Sequence, residues 1–412
     1  MFKIDKTLME GSFSLLVMIN LFNLVNFIFQ FSMARMLSVA EYGILATLIS
    51  FYYVFGIFSE SFQTVITRYV SAESSPGKIK NIMTRSLRRS SRFSTCLFLF
   101  YLVLSFPMSR VLNIGYPLLA LNGVMIFTAL FLPVSRGILL GERRFKAAGA
   151  NMVLEGFAKL SLAVGLVAAG WGVAGAVGGA IAASFLAFIV SLRALGEILS
   201  SEESRAEIPT IYAYSPPVFI AILALMLFYS LDIIVAKVVF DEVAAGRYAF
   251  SSVLAKSIFL LTYPISKAMF PLSSRNQADR GGSRAVFWNS VIMLLILISS
   301  ALIVFHFLSG LLIKLFTGQE VPESASLLFI LGAAAGFLSL ANLNIFYKLS
   351  IGNTGKAHGL FVFVAAEIVL LLSFSQSLFR FSLAFLAASA LFFAGSLFFP
   401  GRHENLSHHS RS

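Results

Sequence analysis

The sequence predicts an all-α polytopic membrane protein, with about twelve transmembrane helices in two six-helix bundles related by a pseudo-two-fold axis along the membrane normal. Three observations predict it. Of 412 residues, 58% are hydrophobic and only 12% charged, with a mean hydropathy of +0.87. A soluble domain carries about a quarter charged residues, so too few remain to cover a water-facing surface. Twelve apolar runs are long enough to cross a bilayer, and at about 20 residues each they take roughly 240 residues, which leaves short connections and no large soluble domain. The basic residues, finally, collect in alternate connections.

The runs fall at 12–33, 43–66, 93–112, 117–138, 151–170, 172–192, 211–236, 248–270, 287–309, 324–347, 357–377 and 380–399. Turn chemistry separates them: SSPGK at 74–78, NIGYP at 113–117, GWG at 170–172, RGGS at 280–283 and GNTGK at 352–356. The first run follows Lys3 and Lys6 but is longer than a signal-peptide core and has no small-residue cleavage pattern, so it reads as a retained helix. Of the 31 Lys and Arg residues, 21 lie at the N-terminus, in connections after even-numbered spans or in the tail, 6 lie in connections after odd-numbered spans, and Arg68, Arg136, Lys159 and Lys256 lie within spans. This asymmetry places both termini on the cytoplasmic side of the cell (inner) membrane. It also accounts for the net charge of +12 without nucleic acid as a partner. The longest connection on the opposite side, about 310–323, leaves no room for an extracytoplasmic catalytic domain.

The two halves share a pattern. ARMLSVAEYGILATLIS from Ala34 and AKVVFDEVAAGRYAFSSVLAKS from Ala236 each carry a cation (Arg35, Lys237), an acid (Glu41; Asp241 and Glu242) and an aromatic opening the next span. Those aromatics, Tyr42 and Tyr248, are 206 residues apart, and Glu155 and Glu367, each inside a span, are 212 apart. The spacing from Asn26 to Tyr42 equals that from Asp232 to Tyr248. Six spans per half is an even number, so the halves share an orientation, as in parallel-repeat transporters. The expected divisions are a first half over 1–200, a second over 201–400 and a cytoplasmic tail over 401–412, with 193–210 and its Pro209 as the link.

Three stretches carry a family resemblance: ARMLSVAEYGILATLISF with ITRYVSAE within 34–73, LDIIVAKVVFDEVAAGRYAFSSVLAKS at 231–257, and LIKLFTGQEVPESASLLFILGAAAGF at 312–337. They resemble the polysaccharide biosynthesis (lipid-linked oligosaccharide flippase, O-antigen translocase-like) family of the multidrug/oligosaccharidyl-lipid/polysaccharide exporter superfamily. The resemblance implies a flippase that moves a polyprenyl-diphosphate-linked oligosaccharide across the membrane by alternating access, with a polysaccharide polymerase and other assembly proteins as partners. A cation-coupled exporter of drugs or metabolites from the same superfamily is the alternative it leaves open. Neither is an enzyme and neither needs a cofactor. No His, Asp and Glu cluster of catalytic or metal-binding spacing occurs, and the single cysteine, Cys96, excludes a disulfide framework.

Charges inside spans are costly, at roughly 2.5–3.5 kcal/mol each on insertion scales, so each asks for a partner or a wet cavity. Lys256, Lys159, Arg68 and Arg136 are the cations that suit a diphosphate. Asn23 and Asn26, in a stripe with Asn20 and Gln30 along the first span, suit a sugar, as does Thr64 in the second span. Glu367, Asp232, Glu155 and Glu60 are the acids available for ion coupling. Competing structural readings stand beside these: a same-helix Glu155–Lys159 pair at i, i+4, a Lys256–Asp232 pair fixing the seventh and eighth spans, and Arg68 and Arg136 reaching the cytoplasmic interface from their span ends. Gly175 with Gly179, and Gly332 with Gly336, read as close helix packing. Pro133, Pro216, Pro217 and Pro264 read as kinks.

Overall fold

The computed structural model describes residues 6–206, 216–275, 280–351 and 357–398. The basic N-terminal residue Lys3, Pro209, the GNTGK turn with Gly352, and the tail from 401 lie outside the described residues. Among the described residues all regular structure is helical. The chain groups into two compact units, 1–214 and 215–412.

The first unit contains α1 (Lys6–Met36), α2 (Val39–Ser71), α3 (Pro76–Leu112), α4 (Tyr116–Gly123), α5 (Met125–Gly141), α6 (Phe145–Leu166), α7 (Gly172–Ala194) and the short α8 (Gly196–Ser200). The second contains α9 (Pro216–Val239), α10 (Glu242–Ala255), α11 (Ser257–Arg275), α12 (Arg280–Thr317), α13 (Pro322–Ser350), α14 (Leu360–Ser373) and α15 (Leu378–Leu397). Ten helical stretches of the described residues are long and apolar enough to cross a membrane. One of them, Phe145–Ala194, holds two of the twelve expected spans, and the shorter apolar stretch Ala357–Ser373 supplies another. All twelve expected spans thus have a helical counterpart.

Local chemistry explains the boundaries. Ser38 caps α2 in a capping box with Glu41, each side chain taking the other residue's backbone N–H. Asp241 caps α10 by accepting from the N–H groups of Val243 and Ala244 at 3.0 and 2.9 Å. The acids that mark the repeated motif therefore start the second helix of each half. Pro76 opens α3 behind Ser75, and Glu73 accepts from the N–H groups of Ser75 and Ser74, which hold its carboxyl below the usual range. Between α6 and α7 the chain makes a π-helical turn over Val167–Trp171, with Gly170 at φ +89° and Gly172 at φ +52°, backbone that only glycine adopts cheaply.

Three expectations are corrected. RGGS at 280–283 is the first turn of α12 and not a break. The connection expected near 310–323 shrinks to residues 318–321, because α12 runs on to Thr317. Pro216 and Pro217 are the first described residues of α9, and what precedes them lies outside the described residues. α3 starts seventeen residues before its apolar run, since its first turns are polar and carry no hydropathy signal.

Within each unit the same helix pairs pack. In the first unit α1 packs on α6, α6 on α7, α2 on α5, α3 on α5 and α5 on α7. In the second, α9 packs on α14, α14 on α15, α10 and α11 on α13, α12 on α13 and α13 on α15. Taken by span number, these are the same five pairings, which is what a tandem repeat requires. The small residues sit at these contacts. A Cβ on Gly179 would lie 2.6 Å from the backbone nitrogen of Ala163, so α6 and α7 touch backbone to backbone there. In the second unit, a Cβ on Gly332 or Gly336 would strike Phe305 or Ile298 of α12, at 2.7 and 2.8 Å.

Candidate functional site

Among the described residues each unit buries a group of charges within its helices, and the second also buries Lys237 near the end of α9. In the second unit the group is centred on Asp232 of α9, which has no exposed surface. Its Oδ1 accepts from Lys256 Nζ at 2.7 Å, and its Oδ2 accepts from the hydroxyls of Ser252 at 2.6 Å and Tyr248 at 3.1 Å. Tyr248, Ser252 and Lys256 follow one another at four-residue spacing, so α10 turns one face toward the acid. Lys256 ends that helix, and its ammonium also lies over the Tyr229 ring, 4.7 Å from the centroid. Glu367 of α14 is as deeply buried as Asp232, and neither carboxyl oxygen has a hydrogen-bond partner. It lies within electrostatic reach of both Asp232 and Lys256.

In the first unit the acid is Glu155 of α6. It accepts from Arg136 Nη2 of α5 at 2.8 Å and from the Ser184 hydroxyl of α7 at 2.5 Å. Arg136 Nε also donates to Asn151 Oδ1 at 2.9 Å, and Asn151 Nδ2 donates to the Ala187 carbonyl at 2.7 Å, so three helices meet in one buried network. Two structural readings are corrected here. Glu155 takes its ion pair across helices and not from Lys159, since Arg136 brings a planar fork that also satisfies Asn151. Arg136 does not reach the cytoplasmic interface, because it is buried and held by that pair. Lys159 instead turns to α1, where it donates to Asn26 Oδ1 and lies over the Phe29 ring at 4.7 Å.

Of the remaining sequence-selected residues, Asn23, Glu60 and Arg68 are exposed, and Thr64 between the last two donates to the Glu60 carbonyl at 2.9 Å. Gln30 accepts from the Tyr42 hydroxyl at 3.4 Å. Tyr42 and Tyr248, both fully buried, thus each reach back to the preceding span's polar stripe. The structure therefore joins Lys256 with Asp232, Arg136 with Glu155, and Lys159 with Asn26.

Sequence reasoning missed Tyr248, Ser252, Asn151 and Ser184 as members of these groups. For the first two, the four-residue spacing up to Lys256 was the available signal. It also missed Lys348, which stands 212 residues after Arg136, as Glu367 stands after Glu155. Lys348 does not repeat the Arg136 pairing. It donates to the carbonyls of Ser396 and Leu397 at 2.7 and 2.9 Å, capping the end of α15.

Residues 32–326 match the family model described as "Polysaccharide biosynthesis protein". The chain belongs to this family. No curated protein matches it. Among solved structures, it resembles the inward closed conformation of the lipid II flippase MurJ, with a TM-score of 0.72 at 13% identity over 93% of this chain and 87% of that one. It also resembles an inward-facing multidrug resistance MATE family transporter of the MOP superfamily, with a TM-score of 0.70 at 14% identity over 91% and 94% of the two chains. A third likeness is to a MOP superfamily transporter from Pyrococcus furiosus described as having a binding pocket of reverse polarity, with a TM-score of 0.60 at 15% identity and 95% of both chains covered. The polysaccharide biosynthesis family protein has the fold of that superfamily.

Proposed function

We propose that this polysaccharide biosynthesis family protein is a flippase of the cell (inner) membrane. It carries a polyprenyl-diphosphate-linked oligosaccharide from the cytoplasmic to the outer face by alternating access, with both of its own termini cytoplasmic. The observation that carries the reading is Lys159. It is a cation in the middle of α6 whose hydrogen bond goes to a neutral amide and not to a carboxylate. Glu155 lies within electrostatic reach of Lys159 but is already engaged by Arg136 and Ser184, and a diphosphate supplies a span ammonium with an anion of its own. Asn26, bonded to Lys159, with Asn23 and Arg68 add two amides and one further cation suited to sugar and phosphate. An intramembrane cation of this kind also disfavours the alternative of a cationic-drug exporter, since like charges repel.

Lys256 and Arg136 then act conditionally. Each is held by an acid, Asp232 or Glu155, and a proton or other cation arriving at that acid releases the basic side chain for the diphosphate. Glu367, beside the Asp232–Lys256 pair, and Glu60 serve the same coupling. Deleting the gene lowers surface polysaccharide and makes the lipid-linked unit accumulate at the cytoplasmic face. Lys159→Ala, present in the membrane at the wild-type level, fails to restore the polysaccharide, whereas Lys159→Arg restores part of it. Unchanged polysaccharide in the deletion strain sinks the proposal.

A further inference from the structure

We propose that Arg85, Arg88, Arg89 and Arg92, on the cytoplasmic extension of α3, form a binding surface for the phosphate headgroups of anionic phospholipids. At 1.5 Å per residue α3 is about 55 Å long, against a hydrocarbon thickness of about 30 Å. Its apolar part, 93–112, accounts for about 30 Å, so the turns from Pro76 to Arg92 stand outside the hydrocarbon. Arg92 then falls at the hydrocarbon boundary, Arg88 and Arg89 about 5 Å beyond it, and Arg85 about 10 Å beyond it, within or at the edge of the headgroup layer.

The direction in which the arginines point decides what they meet. At 100° per residue, the four lie within about 100° of one another around the helix axis. Cys96, Leu99, Val103 and Phe106 fall in the same sector, and these residues are exposed, Val103 to 71%. An exposed apolar stripe inside the bilayer is the face that lipid tails cover. The arginines therefore stand over the headgroups of those same lipids. The next sector round the axis is buried, with Ile82, Met83, Ser86 and Ser90. Ile82 and Met83 pack there against Ile66, Val134 and Ile138.

The surface is held in place. Residues 201–206 lie along the start of α3, where Lys80 donates to the Ser201 carbonyl at 2.8 Å, Asn81 to Glu203 Oε1 at 2.6 Å, and Arg85 to the Ala206 carbonyl at 3.4 Å. Among the described residues neither Arg88 nor Arg92 has a carboxylate partner. The second unit provides an internal comparison. α12 packs on α13 as α3 packs on α5, yet after Arg284 it has no cation until Lys314. Arginine suits the purpose, because its fork binds phosphate oxygens in pairs.

The test uses the full-length protein in phosphatidylcholine micelles, titrated with phosphatidylglycerol while thermal stability is followed. The expected result is a rise in Tm with phosphatidylglycerol and none with added phosphatidylcholine or inorganic phosphate. The rise disappears in 0.5 M NaCl, a concentration of roughly the size needed to screen exposed charges. Replacing Arg88, Arg89 and Arg92 together by Gln raises the half-saturating phosphatidylglycerol by roughly a hundredfold, and Arg284→Gln leaves it unchanged. Should the triple variant fail to insert, the lipid and salt series on the native chain decides alone. Equal responses to phosphatidylcholine and phosphatidylglycerol, a response reproduced by inorganic phosphate, or an unaltered triple variant would overturn the proposal.

Discussion

Asp232→Ala is expected to lower the Tm of the solubilised protein more than any other single truncation among the span acids. The substitution strands the Lys256 ammonium at a site with 5% exposure and leaves the hydroxyls of Ser252 and Tyr248 without their shared acceptor. Removing one member of a buried ion pair costs about 3–5 kcal/mol, because the partner's charge stays behind unpaired. Lys256→Met costs less, since the Asp232 carboxylate keeps its two hydroxyl donors. Replacing both charges together, as Asp232→Asn with Lys256→Met, recovers most of the stability, because no buried charge is then unpaired. Transport separates the two roles of the pair. If Asp232 releases Lys256 to the substrate, the double variant is stable and present in the membrane but does not move it. A stable double variant with wild-type transport makes the pair purely structural.

Arg136→Ala has the second large effect, again about 3–5 kcal/mol, because it leaves Glu155 buried with only the Ser184 hydroxyl as a direct donor. Glu155→Gln is milder. Arg136 then keeps the side-chain and main-chain oxygens of Asn151, at 2.9 and 3.3 Å. Arg136→Lys falls between the two, because an ammonium cannot reproduce the fork that reaches Asn151 and Glu155 together. Thermal unfolding of the three variants in one detergent checks the order. An Arg136→Ala protein as stable as Glu155→Gln contradicts it.

Much of the fold was legible because a bilayer-spanning helix announces itself by a long apolar run. The GWG break and the NIGYP turn were read from glycine and proline alone, and their backbone has the left-handed residues that such turns use, at Gly170, Gly172 and Asn113. The polar extension of α3 was not legible, since hydropathy marks where a helix is apolar and not where it is helical. RGGS was misread for the converse reason: two glycines weaken a helix without ending one whose next turns continue it.

Most of the charged residues inside spans were found by position, because their cost in hydrocarbon makes them conspicuous; Lys237 and Lys348, near the ends of α9 and α13, were not. Their pairing was harder to read. Asp232 and Lys256 could be matched, because the repeated motif brings the seventh and eighth spans together. Glu155 has a cation four residues away on its own helix, and i, i+4 spacing is the only neighbourhood a linear sequence displays. Arg136 lies nineteen residues upstream, and its approach depends on α5, α6 and α7 meeting. Partners such as Ser184 and Asn151 carry no charge to mark them and emerge only from the packing.

The central claim, that the protein moves a lipid-linked oligosaccharide, is tested most directly in vesicles. The protein is reconstituted with a polyprenyl-diphosphate oligosaccharide confined to one leaflet, and the fraction reaching the other leaflet is measured with a membrane-impermeant glycosidase. The account predicts transfer by the wild-type protein at a rate well above protein-free vesicles, and its loss in Lys159→Ala under the same conditions. No transfer above the protein-free rate, or equal transfer by Lys159→Ala, would contradict it.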